Sequence, residues 1–167
     1  MNFDITVGAK ANTNDFDRRF GYLKSSLAMY QNLVYNRSLV FASEVGTHIN
    51  IGNRFELYQA ATLGGDRNLR GFNRERFSGT ESFYHSNDLR LRFGRIHTGI
   101  IPMKIGVSGG FDYGRVWSPF SQNSKKWHTS YGGSLWLSGL DMFTANVSYF
   151  KGNSQENRIS LSFGFNF

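Results

Sequence analysis

The chain has 167 residues, a formal net charge of +7, no cysteine, and an aromatic content of 16%. The aromatic load excludes a disordered chain, the missing cysteines exclude a disulfide scaffold and any Cys-ligated zinc or iron–sulfur site, and no apolar run is long enough for a transmembrane helix. A mean hydropathy of −0.40 suits a soluble protein, and equally a membrane β-barrel, whose strands each face water on one side.

Residues 1–10 hold no basic stretch followed by an apolar one, so no signal peptide is expected. A location outside the cytoplasm would make this sequence a mature product or a fragment. Alternation with a period of two dominates the chain. It predicts early strands near 2–11, 20–31, 37–49 and 53–62, with turns at 12–18, 31–36 and 50–53. Residues 63–82, rich in Gly, Arg and Asn, form the one long connection. In 88–93, Leu89, Leu91 and Phe93 oppose Asp88, Arg90 and Arg92. In 101–113, Ile105, Val107, Phe111 and Tyr113 oppose Lys104, Gly106, Ser108, Gly110 and Asp112. Strands at 127–138, 142–150 and 158–167 alternate in the same way, and the last ends on Phe163, Phe165 and Phe167. Nine strands and no domain linker result.

The apolar face could pack inward, as in a soluble sandwich, or meet lipid, as in an outer-membrane barrel. Strands of about ten residues, tilted by about 40°, span the lipid-facing band of roughly 25 Å. The polar face is made of small and charged residues, as a wet lumen requires. Aromatics gather near strand ends (Tyr113, Trp117, Trp127, Tyr149, Phe150) in the manner of interfacial girdles. The expected fold class is therefore all-β, an antiparallel transmembrane β-barrel.

Within the long connection stands Leu63-Gly64-Gly65-Asp66-Arg67-Asn68-Leu69-Arg70-Gly71-Phe72. It does not end in Gly-Lys-Ser/Thr and so is no P-loop. Leu69-Arg70-Gly71-Phe72 resembles the signature of the superfamily that contains the outer-membrane assembly factor BamA and the two-partner secretion transporters (the bacterial surface antigen family), and the preceding Gly64-Gly65 is typical of it. The resemblance is strong over residues 60–167. It implies that 63–82 is an extracellular loop folded back into the lumen, with its arginine held by acidic residues of the next two strands. Asp88, where the family usually has Glu, would be the first. The second would be Asp112, within Phe111-Asp112-Tyr113-Gly114. Both acids fall on the face already assigned to the lumen. Arginine suits this role because its planar fork is always charged and matches carboxylates.

The terminal alternating strand with Phe163, Phe165 and Phe167 resembles the C-terminal signal of such barrels. In the superfamily this strand closes against the first, at a seam that is weak in the assembly factors. An odd strand count, with Met1 then on the extracellular side, suggests that residues 1–167 are a barrel segment holding the last nine of sixteen strands. A separate eight-stranded barrel, with one early strand misread, is the alternative.

No histidine pair has metal-ligand spacing, no nucleophile elbow is present, and no cofactor, nucleic acid or catalysis is expected. The resemblance implies a protein of the bacterial outer membrane that inserts and assembles other barrels. Its partners would be outer-membrane lipid, unfolded outer-membrane protein substrates, and the missing N-terminal strands with periplasmic domains or accessory lipoproteins. The alternatives are a polypeptide secretion pore, the barrel anchor of a surface or periplasmic hydrolase, and a small passive barrel.

Overall fold

A computed structural model describes residues 2–11, 19–52, 60–97, 102–118, 126–139 and 142–165. Ten strands occur in it: β1 (Asn2–Ala11), β2 (Arg19–Asn32), β3 (Leu39–Ile51), β4 (Ala61–Leu63), β5 (Phe77–Gly79), β6 (Glu81–His97), β7 (Pro102–Trp117), β8 (His128–Gly139), β9 (Phe143–Gly152) and β10 (Asn157–Phe165). Eight of them form one sheet in the order β1-β2-β3-β6-β7-β8-β9-β10, each antiparallel to its neighbours. This is the wall of a partial barrel, and β1 and β10 are not paired to each other.

The alternation seen in the sequence is carried through the whole wall by its register. Asp4 faces Ser26, Ala28 faces Glu44, Ala42 faces Asp88, Ser86 faces Asp112, Asp112 faces Ser130, Ser130 faces Gly152, and Ser148 faces Ser160. Even-numbered residues therefore meet even-numbered residues in every ladder, and one face of the sheet is theirs. A bulge between Arg92 and Gly94 shifts this parity near the end of β6. The odd-numbered face carries Ile5, Val7, Leu89, Phe93, Leu135, Val147, Ile159, Leu161 and Phe163, all exposed, Ile159 at 74%. A continuous apolar face covered by nothing suits lipid and not water. The soluble-sandwich alternative requires that face to be packed, and it is not.

On the even-numbered, inner face, glycines leave space that aromatic rings of the next strand fill. Tyr22 lies against Gly8, Tyr84 against Gly46, and Trp136 against Gly106, each directly opposite in register. Such pairing covers backbone that a glycine would leave bare and helps fix register.

Two expectations change. Of the strand expected near 53–62, residues 53–59 lie outside the described ones, and its described end, Ala61–Leu63, pairs with Phe77–Gly79 in a separate two-stranded ladder. The wall passes directly from β3 to β6, from Leu39↔Leu91 to Ile49↔Glu81. Ala60, Ala61 and Leu63 are buried, with β4 packed against β6 and β7 of the wall and against β5, and not facing lipid. Among the described residues the wall has eight strands, where the sequence predicted nine. Strands β6 and β7 are also longer than expected, at 17 and 16 residues, so they extend past the roughly ten residues that cross a bilayer.

Candidate functional site: a loop clasped to the inner wall

The connection between β4 and β6 folds over the inner face. Gly64 and Gly65 take φ of +114° and +107°, a region that side chains disfavour, and start the turn. The Asn68 side-chain oxygen accepts the backbone N–H groups of Gly64 and Leu69, at 2.8 and 2.7 Å. The Gly65 and Phe72 N–H groups both donate to the Leu69 carbonyl, at 3.2 and 3.1 Å. These local bonds satisfy backbone that the loop buries and give its apex one shape.

Apolar packing seats that shape. Leu63, Leu69, Phe72 and Phe77 form a buried cluster with Val116 of β7, and Tyr84 packs against it. The Phe72 ring stands edge-on to Phe77 at 5.0 Å, and Phe77 stacks on His128 at 3.6 Å. Gly71 presses on the wall, where an added Cβ would meet Gly152 N at 2.6 Å and Ser130 Cβ at 2.8 Å. Gly152 in turn leaves room for the Phe72 ring, and Gly114 for Leu63.

Arg70 reaches the acidic residues of the wall. Its Nη1 donates to Asp88 Oδ1 at 2.6 Å and its Nη2 to Asp112 Oδ1 at 2.5 Å. Its Nε donates to the Asp112 carboxylate at 3.0 Å, and its own backbone N–H donates to Asp112 Oδ2 at 3.0 Å. Ser130 Oγ adds a 2.8 Å bond to the same oxygen. The guanidinium lies 4.2 Å from the centre of the Phe150 ring, which adds a cation–π contact. Asp112 is fully buried, while the Arg70 and Asp88 side chains keep 16% and 15% exposure. Burial works against the Arg70 charge, but the carboxylates of Asp112 and then Asp88 outweigh it, so its proton is held more tightly than in water. Ser86 Oγ also donates to the Asn68 carbonyl, at 2.8 Å. Strands β6, β7, β8 and β9 therefore all touch the apex.

Two further ties hold the loop at the rim. Arg158 of β10 donates to both oxygens of Asp66, at 2.8 and 3.0 Å. Arg76 donates to Glu156, in the β9–β10 turn, at 2.8 Å. The Arg158 hydrogen bond holds the Asp66 carboxyl below the usual carboxylate range, with burial opposing it.

Of the residues singled out in the sequence, Arg70, Asp88 and Asp112 come together, and Gly64, Gly65, Leu69, Gly71, Phe72 and Gly114 shape or seat the loop around them. Phe111 does not take part: it lies on the outer face, half exposed, beside Tyr113. Phe163 is exposed on the outer face of β10, the Phe165 side chain is not described, and Phe167 lies outside the described residues. Phe150, expected in an interfacial girdle, is instead buried on the inner face under Arg70. Its even number carried that information. The sequence reading also missed Ser130, Asn68 and the two rim ties. For Ser130 the signal was parity. For the rim ties there was none, since Asp66 and Arg158 are far apart in the chain. No cluster able to hold a metal ion occurs among the described residues.

A loop pinned by an arginine to the inner face of an antiparallel wall is the arrangement expected of the superfamily of two-partner secretion transporters. The chain belongs to a family within it, the haemolysin secretion/activation proteins ShlB/FhaC/HecB, whose model matches residues 5–139. That match includes Arg70, Asp88, Asp112 and Ser130. Members of the family are outer-membrane proteins of Gram-negative bacteria that act with protein substrates. No curated protein and no solved structure matches the chain.

Proposed function

We propose that the chain forms part of an outer-membrane secretion pore through which an unfolded polypeptide passes, with residues 63–82 as its plug. The observation that carries this reading is the position of the clasp. Arg70 holds the loop across the inner face, directly above an open polar chamber of about 560 Å³ lined by Arg90, Ser108, Ser134, Ser148 and their neighbours. A plug of this kind must be held firmly and still leave as a unit. A charged pair that is buried but not sealed from water meets both needs, because water can replace its bonds once the loop moves. The protein then supplies a wall, a plug and a path, without covalent chemistry or cofactor.

The matching family moves secretion ahead of barrel insertion, which the loop motif alone had put first. Insertion stays as the second reading, favoured by one feature: among the described residues β10 has a ladder only to β9, so its other edge is open to an added strand.

The test uses the full chain in proteoliposomes loaded with a labelled, unfolded polypeptide. Secretion predicts slow efflux from the parent and faster efflux from Arg70→Ala. If neither releases polypeptide while the parent speeds insertion of another barrel, the second reading replaces the first.

A further inference from the structure

We propose that the chamber beneath the clasp is a binding site for acidic segments of extended polypeptide. The inference deepens the secretion reading and takes the nature of its guest from it. Going down the wall from the Asp88–Gly110 row, away from the loop, the next inner-face row is Arg90, Ser108, Ser134, Ser148 and Ser160, set side by side in register on five strands. The row after it begins with Arg92, and Lys104 follows on β7. One side of the chamber is therefore basic and the other is hydroxylated.

The charge balance inside is uneven. Five cationic side chains line the chamber, those of Arg37, Arg70, Arg90, Arg92 and Lys104, against the carboxylates of Asp66 and Asp88. Both carboxylates are already engaged, Asp66 by Arg158 and Asp88 by Arg70. Each guanidinium carries five donors. Arg90 gives one to Asp88 at 3.1 Å, and Arg92 gives one to the Asn36 carbonyl at 3.0 Å. Among the described residues, the other donors of these two groups are open to a guest.

Spacing selects an extended chain over a free anion. Arg90 and Arg92 stand two residues apart on one strand, so about 7 Å separates their positions. Alternate residues of an extended guest repeat at the same distance. Carboxylates at every second position would therefore meet both arginines at once. On the facing side, Ser108 bonds Ser134 at 2.6 Å and Ser148 bonds Ser160 at 2.7 Å. That hydroxyl row both donates and accepts, so it offers partners to the main chain of a guest whatever its sequence.

The experiment measures binding of a fluorescent (Glu-Ser)5 peptide to the full chain in detergent at low salt, with (Lys-Ser)5 as its counterpart. The expected result is binding of the acidic peptide only. Arg90→Gln with Arg92→Gln should weaken it by about tenfold or more. Lys126→Gln with Lys151→Gln, an equal loss of charge at exposed sites outside the chamber, should change it by less than about twofold. Arg90→Lys with Arg92→Lys should keep most of the binding, which separates loss of charge from loss of fold. Equal weakening by the two Gln pairs would mean general attraction to a basic protein and would overturn the proposal. Displacement of the peptide by free glutamate at the same carboxylate concentration would overturn it too, since the site would then be one for simple anions. Because this assay reads binding and not passage, failure of the secretion reading in proteoliposomes would be seen separately.

Discussion

The loop is held to the wall by the same chemistry in two places, arginine against carboxylate, and the two places differ in burial. At the apex, Arg70 meets a fully buried Asp112 that also accepts Ser130 and a backbone N–H. At the rim, Arg158 meets Asp66, whose side chain is 60% exposed, and a half-exposed Arg76 meets Glu156. An exposed pair contributes about 0.2–1 kcal/mol, because water competes for both ions. Removing one partner of a buried pair costs about 3–5 kcal/mol, because the other charge stays largely buried in the closed loop without its counter-ion. The apex therefore decides whether the loop stays, and the rim only trims how it sits.

The largest effect is expected for Asp112→Ala. It removes the acceptor of four donors and leaves the Arg70 charge with Asp88 alone, so the loop should lose about 3 kcal/mol or more of its hold. Trypsin cleavage at Arg67 and Arg74, followed on folded protein, should accelerate by about a hundredfold. Gly71→Ala comes next. Its methyl would meet backbone of Lys151 and Gly152 within 2.7 Å, which the wall cannot relieve without moving, so the apex should lift and cleavage should again rise. Asp88→Asn should do less, about 1–2 kcal/mol, since the amide oxygen still accepts from Arg70.

The smallest effects belong to the rim. Asp66→Asn should cost under about 1 kcal/mol, and high salt should mimic it while leaving the apex intact. Acid should act in the same place. A carboxyl held below its ordinary value stabilises the closed loop above that value, about 4, and the contribution is lost as pH falls through the lower closed-loop value. Cleavage by an acid-active protease should therefore rise below about pH 4 in the parent, and rise less in Asp66→Asn. Equal responses of apex and rim variants would erase the distinction.

The same contrast explains what could be read from the sequence. Arg70, Asp88 and Asp112 were legible because a four-residue signature met strict alternation, and alternation alone placed both acids on one face. The wall from β6 to β10 was legible for the same reason. Ala60–Leu63 was not: an apolar run reads as a strand against lipid, and nothing local tells burial against the wall from burial in a bilayer. Phe150 was legible by parity, since its even number places it on the inner face, but an aromatic near a strand end suggests a girdle and that signal was followed instead. The rim pairs depend on where a distant turn arrives, which is a property of the closed loop and not of either segment.

If Arg70 and Asp112 act as one clasp, the loss of either should already release the loop. A double-mutant cycle puts this to the test, with loop-cleavage rates measured for the parent, Arg70→Ala, Asp112→Ala and the pair. The double variant should be little worse than either single, so that their coupling exceeds about 2 kcal/mol. Additive effects, with each substitution opening the loop independently of the other, would contradict the clasp.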